Sequence, residues 1–191
     1  MIRGKHFEGV RFEQQDVEGE HFSGCHFIGC DFSWLDLGEC RFVDCCFYDR
    51  ERELGCQLQG CDLREASFLR CDLTLADVSR SQCLGLEMRD CQAMGINFGH
   101  ASFEGCLLEK CELSGNRWQG ANLLGASLAG SDLSGSEFGQ IEWTSFKLQG
   151  CDLRQCDLPG LDLRRVDLTG VQINEDQQQT LLEQIGLVVF P

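Results

Sequence analysis

Large apolar residues recur at every fifth position from Phe7 through Phe12, Val17, Phe22, Phe27, Phe32, Leu37 and Phe42 to Phe47. After an eleven-residue step the spacing resumes at Leu58 and runs in frame through Leu63, Phe68, Leu73, Val78, Phe98, Trp118, Leu133, Trp143 and Leu158 to Ile173. Neither an α-helix of period 3.6 nor a flat strand of period two places every fifth residue inside. A squared coil does. If each five-residue unit forms one side and turns a corner, the centre and the residue two places before it point inward, and the other three face water. That second inward position is small or apolar, as at Cys25, Cys30, Cys61, Ala66, Ala76, Ala121 and Cys151. Four sides close a coil of about twenty residues, which stacks Phe7 on Phe27 and Phe47, Phe12 on Phe32, and Phe22 on Phe42. At the roughly 4.8 Å spacing of paired strands, about eight coils give a rod about 40 Å long.

Two segments leave the pattern. Tyr48-Asp49-Arg50-Glu51-Arg52-Glu53-Leu54-Gly55 is highly charged and adds one residue to a two-unit step. It is either a bulge absorbed by the coil or a short projecting loop, and loops on a rigid scaffold often carry contact residues. Its charged part, Tyr48 to Glu53, is a candidate partner-binding site. At the other end, Asn174 can cap a helix with Glu175 and Asp176 in its first turn and Gln177 completing a capping box. Leu181, Leu182 and Ile185 give that helix an apolar stripe, Gly186 stops it, and Leu187, Val188, Val189 and Phe190 read as a short apolar strand. The chain thus divides into a β-helix over 1–173 and a helix-and-strand segment over 174–191. An apolar rod end must be covered, either by a two-fold partner, which makes 174–191 a dimerisation segment, or by the segment folding onto its own coil.

Composition adds a strong charge bias. Sixteen Lys and Arg against 31 Asp and Glu give a formal net charge of −15, which repels phosphate backbones and anionic membrane surfaces alike. The expected partner is basic, with no direct nucleic acid or membrane binding. The acidic residues favour the position just before a repeat centre, as at Asp72, Asp132 and Asp152, where they either cap turns or form an acidic face. No signal peptide or membrane span is evident, so a cytoplasmic location is expected. Of fourteen cysteines, twelve occupy the small inward position and only Cys46 and Cys83 do not. Free thiols there act as small buried hydrophobes, and five-residue spacing sends successive cysteines to different walls, so neither a metal nor any other cofactor is expected. His6, His21 and His26 precede centres, His100 falls in a turn, and no nucleophile–base constellation appears, so the chain is not read as an enzyme.

The five-residue repeat resembles the pentapeptide-repeat family, whose members fold as right-handed quadrilateral β-helices. The segments FYDRE (47–51), CLGLEMRDC (83–91), LEKCELSGNRW (108–118), GSDLSGSEF (130–138), GLDLRRVDLTGV (160–171) and the ending LLEQIGLVVFP resemble the Qnr quinolone-resistance proteins. That resemblance implies a cytoplasmic homodimer joined through its C-terminal ends, which binds DNA gyrase and topoisomerase IV and protects them from fluoroquinolones. It also implies a second, larger loop near the middle of the rod. Here Phe98, Phe103, Leu108 and Leu113 follow at unbroken intervals, leaving that loop out and predicting weaker protection. Such a dimer would carry twice −15 over about 80 Å, against about 47 phosphates on duplex DNA of that length. Two other readings remain open: a DNA mimic that inhibits gyrase or confers immunity to a toxin, and an inert structural rod.

Overall fold

A computed structural model describes residues 1–188. Ten short strands follow one another: β1 (Ile2–Arg3), β2 (His6–Glu8), β3 (His21–Ser23), β4 (His26–Ile28), β5 (Arg41–Val43), β6 (Tyr48–Asp49), β7 (Leu54–Gly55), β8 (Ser67–Leu69), β9 (Glu87–Arg89) and β10 (Leu107–Glu109). The helical pieces are α1 (Gln14–Val17), a 3₁₀ turn over Trp143–Ser145, and α2 (Glu175–Gln184). The principal sheet is parallel, in the order β1-β3-β5-β8-β9-β10, and the single-residue pairs Leu107–Ser127 and Ser127–Lys147 carry it further along the chain. Three more rows run beside it, through His6–His26–Cys46–Asp72, Arg11–Asp31–Gln57–Asp77 and Asp36–Asp62–Gln82–Ser102. These four rows are the four walls of the quadrilateral β-helix that the repeat predicts.

The core is the set of residues the spacing places inside. Phe7, Phe27 and Phe47 stack with ring centroids 5.2 and 4.8 Å apart, Phe12 on Phe32 at 4.5 Å, and Phe22 on Phe42 on Phe68 at 5.2 and 4.7 Å. Rings on neighbouring walls meet edge to face, as Phe22 does with Phe27 at 5.3 Å. Offset stacks and edge contacts are the arrangements aromatic quadrupoles favour, so each coil is held both to the next and across its own interior. Further on, Phe98, Trp118 and Phe138 continue one column.

The second inward position does more than fill space. Cys40, Cys56, Cys61, Cys106, Cys151 and Cys156 each donate a thiol hydrogen bond to a main-chain carbonyl of the preceding coil, at 2.6–3.1 Å. Ser81, Ser131 and Ser136 make the equivalent bond with a hydroxyl, and also accept a main-chain N–H. Cysteine therefore serves as a small apolar filler with a weak donor. All fourteen are free, and all but Cys46 are buried, as the sequence reading expected of the twelve inward ones.

Four local departures correct that reading. The side ending at Val17 is one turn of helix, α1, closed by a capping box between Glu13 and Asp16. Between Phe138 and Leu148 the coil makes a 3₁₀ turn, although Trp143 stays buried and donates its indole N–H to the Pro159 carbonyl at 2.7 Å. Leu187 and Val188 are exposed and lie outside any strand, while Val189 and Phe190 lie outside the described residues. The fourth departure concerns the charged segment, below.

Candidate functional site

The eleven-residue step is one side of the coil carrying a six-residue insertion, not two sides with a spare residue. The coil length shows this: Phe42 pairs with Phe68 and Asp31 with Gln57, where every other step in those rows is twenty residues. Removing 48–53 leaves Phe-Leu-Gly-Cys-Gln-Leu, which parallels Phe27-Ile-Gly-Cys-Asp-Phe32. The insertion projects as an antiparallel hairpin in which β6 pairs with β7, Tyr48 opposite Gly55 and Asp49 opposite Leu54. Asp49 is buried at its base and accepts the N–H groups of Glu51 and Arg52 at 2.9 and 3.2 Å, so one carboxylate shapes the turn. Arg52 reaches Glu8 at 2.8 Å and Asp49 at 3.4 Å, and Arg50 lies 3.9 Å from Asp72. Both arginines are thereby turned back toward carboxylates. Glu51 and Glu53 are exposed, and no ion pair among the described residues engages them.

Asp72, Asp132 and Asp152 fall on one wall, in the row Cys46–Asp72–Gln92–Glu112–Asp132–Asp152–Gln172. Glu112, twenty residues before Asp132, completes the acidic run on this wall. The hairpin leaves the coil beside the head of this row, and Arg50 bridges toward its first carboxylate. Each of the three aspartates also has a structural duty. Asp72 accepts the N–H of Thr74 at 3.1 Å, Asp132 that of Ser134 at 2.8 Å, and Asp152 that of Arg154 at 2.9 Å. The same side-chain turn recurs at Asp31, Asp36, Asp62, Asp77, Asp162 and Asp167. Turn capping thus accounts for much of the acidic pattern.

Basic residues are interspersed among these carboxylates. In three Asp-Leu-Arg units the arginine folds onto the aspartate two places earlier: Arg64 on Asp62, Arg154 on Asp152 and Arg164 on Asp162. These guanidiniums hold the three carboxyls below their ordinary range. The negative potential is consequently uneven. Asp132 and Glu112 have no ion pair among the described residues, whereas Asp152 is paired with Arg154.

At the C-terminal end, α2 begins at Asn174, whose reciprocal bonding with Gln177 forms the expected capping box. Gln177 also donates to the carbonyls of Leu153 and Cys156, at 2.7 and 2.8 Å, and Leu181 is buried against the coil. Leu181 is therefore a cap on its own rod. Leu182 and Ile185 are half-buried, and Gly186 ends the helix with φ +84°. An apolar crevice of about 110 Å³ remains between α2 and the last coil, among Leu161, Leu163, Leu168, Val171 and Leu182.

No group of three or more His, Cys, Asp or Glu among the described residues is placed to hold a metal ion. No described helix is long and apolar enough to cross a membrane. Burial pushes the thiols of Cys61 and Cys106 up to about 12.

The family model for Pentapeptide repeats matches in eight copies, over residues 6–42, 55–82, 107–140 and 147–175. Two of its gaps coincide with the hairpin and the 3₁₀ turn. A trypsin-treated variant of QnrB1, a plasmid-mediated fluoroquinolone resistance protein, is 38% identical over 100% of this chain and 99% of its own, with a TM-score of 0.54. The chain belongs to the Qnr branch of the pentapeptide-repeat family. The quinolone resistance protein QnrB96 of Scandinavium goeteborgense is 36% identical over 107 residues, covering 43% of this chain and 50% of that protein. QnrB4 of Escherichia coli is 37% identical over 104 residues, covering 41% and 48%. The matched segments thus span about half the length of these Qnr relatives. A pentapeptide repeat protein from the Arabidopsis thaliana thylakoid lumen, 21% identical over 65% of this chain and 77% of its own with a TM-score of 0.51, shares the fold alone. Where a larger second loop was considered, β9 pairs directly with β10, and this Qnr chain passes the middle of the rod as plain coil.

Proposed function

We propose that this chain binds bacterial DNA gyrase and topoisomerase IV and protects them from fluoroquinolones, acting as a rigid acidic rod without catalysis. The observation that carries this reading is the seating of the hairpin beside the acidic row, in a chain whose whole length matches a fluoroquinolone resistance protein. The rod presents carboxylates at the regular coil spacing of roughly 4.8 Å, which suits a basic surface built to hold duplex DNA. Hairpin contacts then supply the specificity that charge lacks. A second copy covers the incompletely closed C-terminal coil, where Ile173, Leu187 and Val188 are exposed, and so makes the homodimer.

The test is gyrase supercoiling with and without ciprofloxacin, with this protein titrated in. Protection predicts that supercoiling returns in the presence of drug at protein concentrations that leave the drug-free reaction intact. Inhibition without drug and no rescue with it would favour the DNA-mimic reading, which the charge of −15 also accommodates. With no larger loop, rescue is expected to need more protein than a loop-bearing relative does.

A further inference from the structure

We propose that the edge of the rod beneath the hairpin is a docking strip for a basic amphipathic segment of a protein partner, seated on Leu54, Leu75 and Met94. These three large apolar side chains are 44%, 42% and 37% exposed and follow one another along one edge in successive coils. Gly55, next to Leu54, lies directly on the main chain at Leu75 and Ala76, and the Leu75 N–H donates to the Met94 carbonyl at 2.9 Å. Leu54 leans toward Gly29, where a β-carbon would lie 3.2 Å from its Cδ2, and Leu75 lies over Gly95, where the corresponding distance is 2.7 Å. The strip therefore runs along the edge from Gly29 to Gly95, about three coil steps or 14 Å. Beyond it the edge continues as Gly115 and Gly135, whose α-carbons face open space. An isolated exposed leucine needs no explanation, but three large apolar side chains in succession along one edge of a strongly charged rod mark a contact.

The charges around the strip choose the occupant. Asp72 lies on the wall to one side, Asp31 and Asp77 on the wall to the other, and Glu51 and Glu53 project from the hairpin above. Arg50 and Arg52, the nearby cations, are already turned toward Asp72, Glu8 and Asp49. A nucleic acid or an acidic peptide would be repelled. A helix with apolar residues along one stripe and Lys or Arg on its flanks fits, and 14 Å corresponds to about nine helical residues. The carboxylates steer such a segment, while the leucines give it a seat that salt does not screen. This deepens the proposed topoisomerase contact and rests on it only for the identity of the natural partner.

The probe is a short synthetic helix of Leu on one face and Lys on the other, compared with a peptide of the same charge in which every Leu is Ser. Fluorescence anisotropy with the full chain is expected to show the Leu-containing peptide binding at least about tenfold tighter. Leu54→Ser with Leu75→Ser should remove that preference, whereas Asp72→Asn should weaken both peptides alike. If the double variant melts early, Leu54→Ser alone carries the test, since Leu54 sits at the base of the hairpin with its side chain 44% exposed, and at least a threefold loss of preference is expected. Equal affinity for the two peptides, or a preference that survives in the folded variant, would overturn the strip. Gyrase is absent from this measurement, so its outcome is separate from that of the topoisomerase reading.

Discussion

Gly55 rests on the backbone of Leu75: a β-carbon at Gly55 would lie 2.2 Å from both the carbonyl carbon and the carbonyl oxygen of Leu75. The hairpin is anchored to the next coil by this approach of main chain to main chain. Gly55→Ala must push the hairpin off its seat or shift the coil corner, at a cost of about 1–3 kcal/mol, the usual range for forced overpacking. Thermal melting should fall by several degrees, with the Arg52–Glu8 pair lost. An alanine variant that melts with the parent would show that the hairpin is not held this way.

Charge and turn capping at Asp132 can be separated by substitution. Its Oδ1 accepts the Ser134 N–H at 2.8 Å, and asparagine keeps that acceptor while alanine does not. Asp132→Asn should be close to neutral in urea denaturation, and Asp132→Ala should cost about 1 kcal/mol. In gyrase binding, by contrast, the two should weaken affinity alike. If Asn costs as much stability as Ala, the carboxylate charge and not the turn bond holds the corner.

Phe27 stands at the centre of the aromatic stack, between Phe7 and Phe47 and edge-on to Phe22 and Phe32. Phe27→Ala should cost about 3–5 kcal/mol, because flanking rings fixed by the coil cannot collapse into the space. The loss should appear as a single shifted transition in calorimetry. A cost below about 1.5 kcal/mol would mean that the stack is not the main cement of the N-terminal coils.

How far the sequence alone reaches is clear from such residues. The period of five named almost every core residue and stacked Phe22 on Phe42, but two sides counted between Phe47 and Leu58 would put Phe68 on the column of Phe47, where the structure stacks it on Phe42. Eleven residues count equally well as two sides with a spare residue or as one side with a six-residue insertion, and only the match between Phe27-Ile-Gly-Cys-Asp-Phe32 and the sequence flanking 48–53 distinguishes the two. An apolar helical stripe does not say what it covers, so the sequence leaves open whether Leu181 meets a partner or its own coil. The arginines of the Asp-Leu-Arg units looked like ordinary solvent-facing residues, and their return onto Asp62, Asp152 and Asp162 depends on side-chain reach around a corner. The Leu54–Leu75–Met94 strip is not legible in the period, because its members fall at or just before a corner and not at the inward positions that the spacing picks out.

Stability should depend on pH through the paired carboxylates. Arg70, Arg64, Arg154 and Arg164 hold Asp44, Asp62, Asp152 and Asp162 below their ordinary range, and hydrogen bonds from Gln149 and Thr169 bring Asp167 to about 2. A carboxyl that is more acidic folded than unfolded stabilises above its unfolded value, near 3.9, and loses that contribution as pH falls through the folded value. Melting temperature should therefore hold steady from about pH 7 to pH 5 and decline from about pH 4 toward pH 2. A melting temperature that is unchanged at pH 2.5 contradicts this.

The thiols should be inert in the native state. Thirteen of the fourteen are buried out of reach of a reagent, and desolvation raises Cys61 and Cys106 to about 12 and Cys151 and Cys156 to about 11, so these four hold little thiolate at pH 8. A thiol-reactive disulfide reagent should modify Cys46 alone in native buffer and all fourteen in guanidinium. Rapid reaction of several thiols without denaturant would mean that the coils open readily.

In the proposed function the acidic wall supplies the attraction and the hairpin the specific protective contact. Deleting 48–53 rejoins Phe47 to Leu54 and restores an unbroken five-residue step to Leu58, so the rod should remain folded. The decisive measurement is gyrase supercoiling in ciprofloxacin, with the parent and this deletion compared over the same protein concentrations. The expected result is rescue by the parent and at least tenfold weaker rescue by a deletion variant that melts as cooperatively as the parent. Equal rescue by the two would contradict the claim and leave the acidic walls as the working surface.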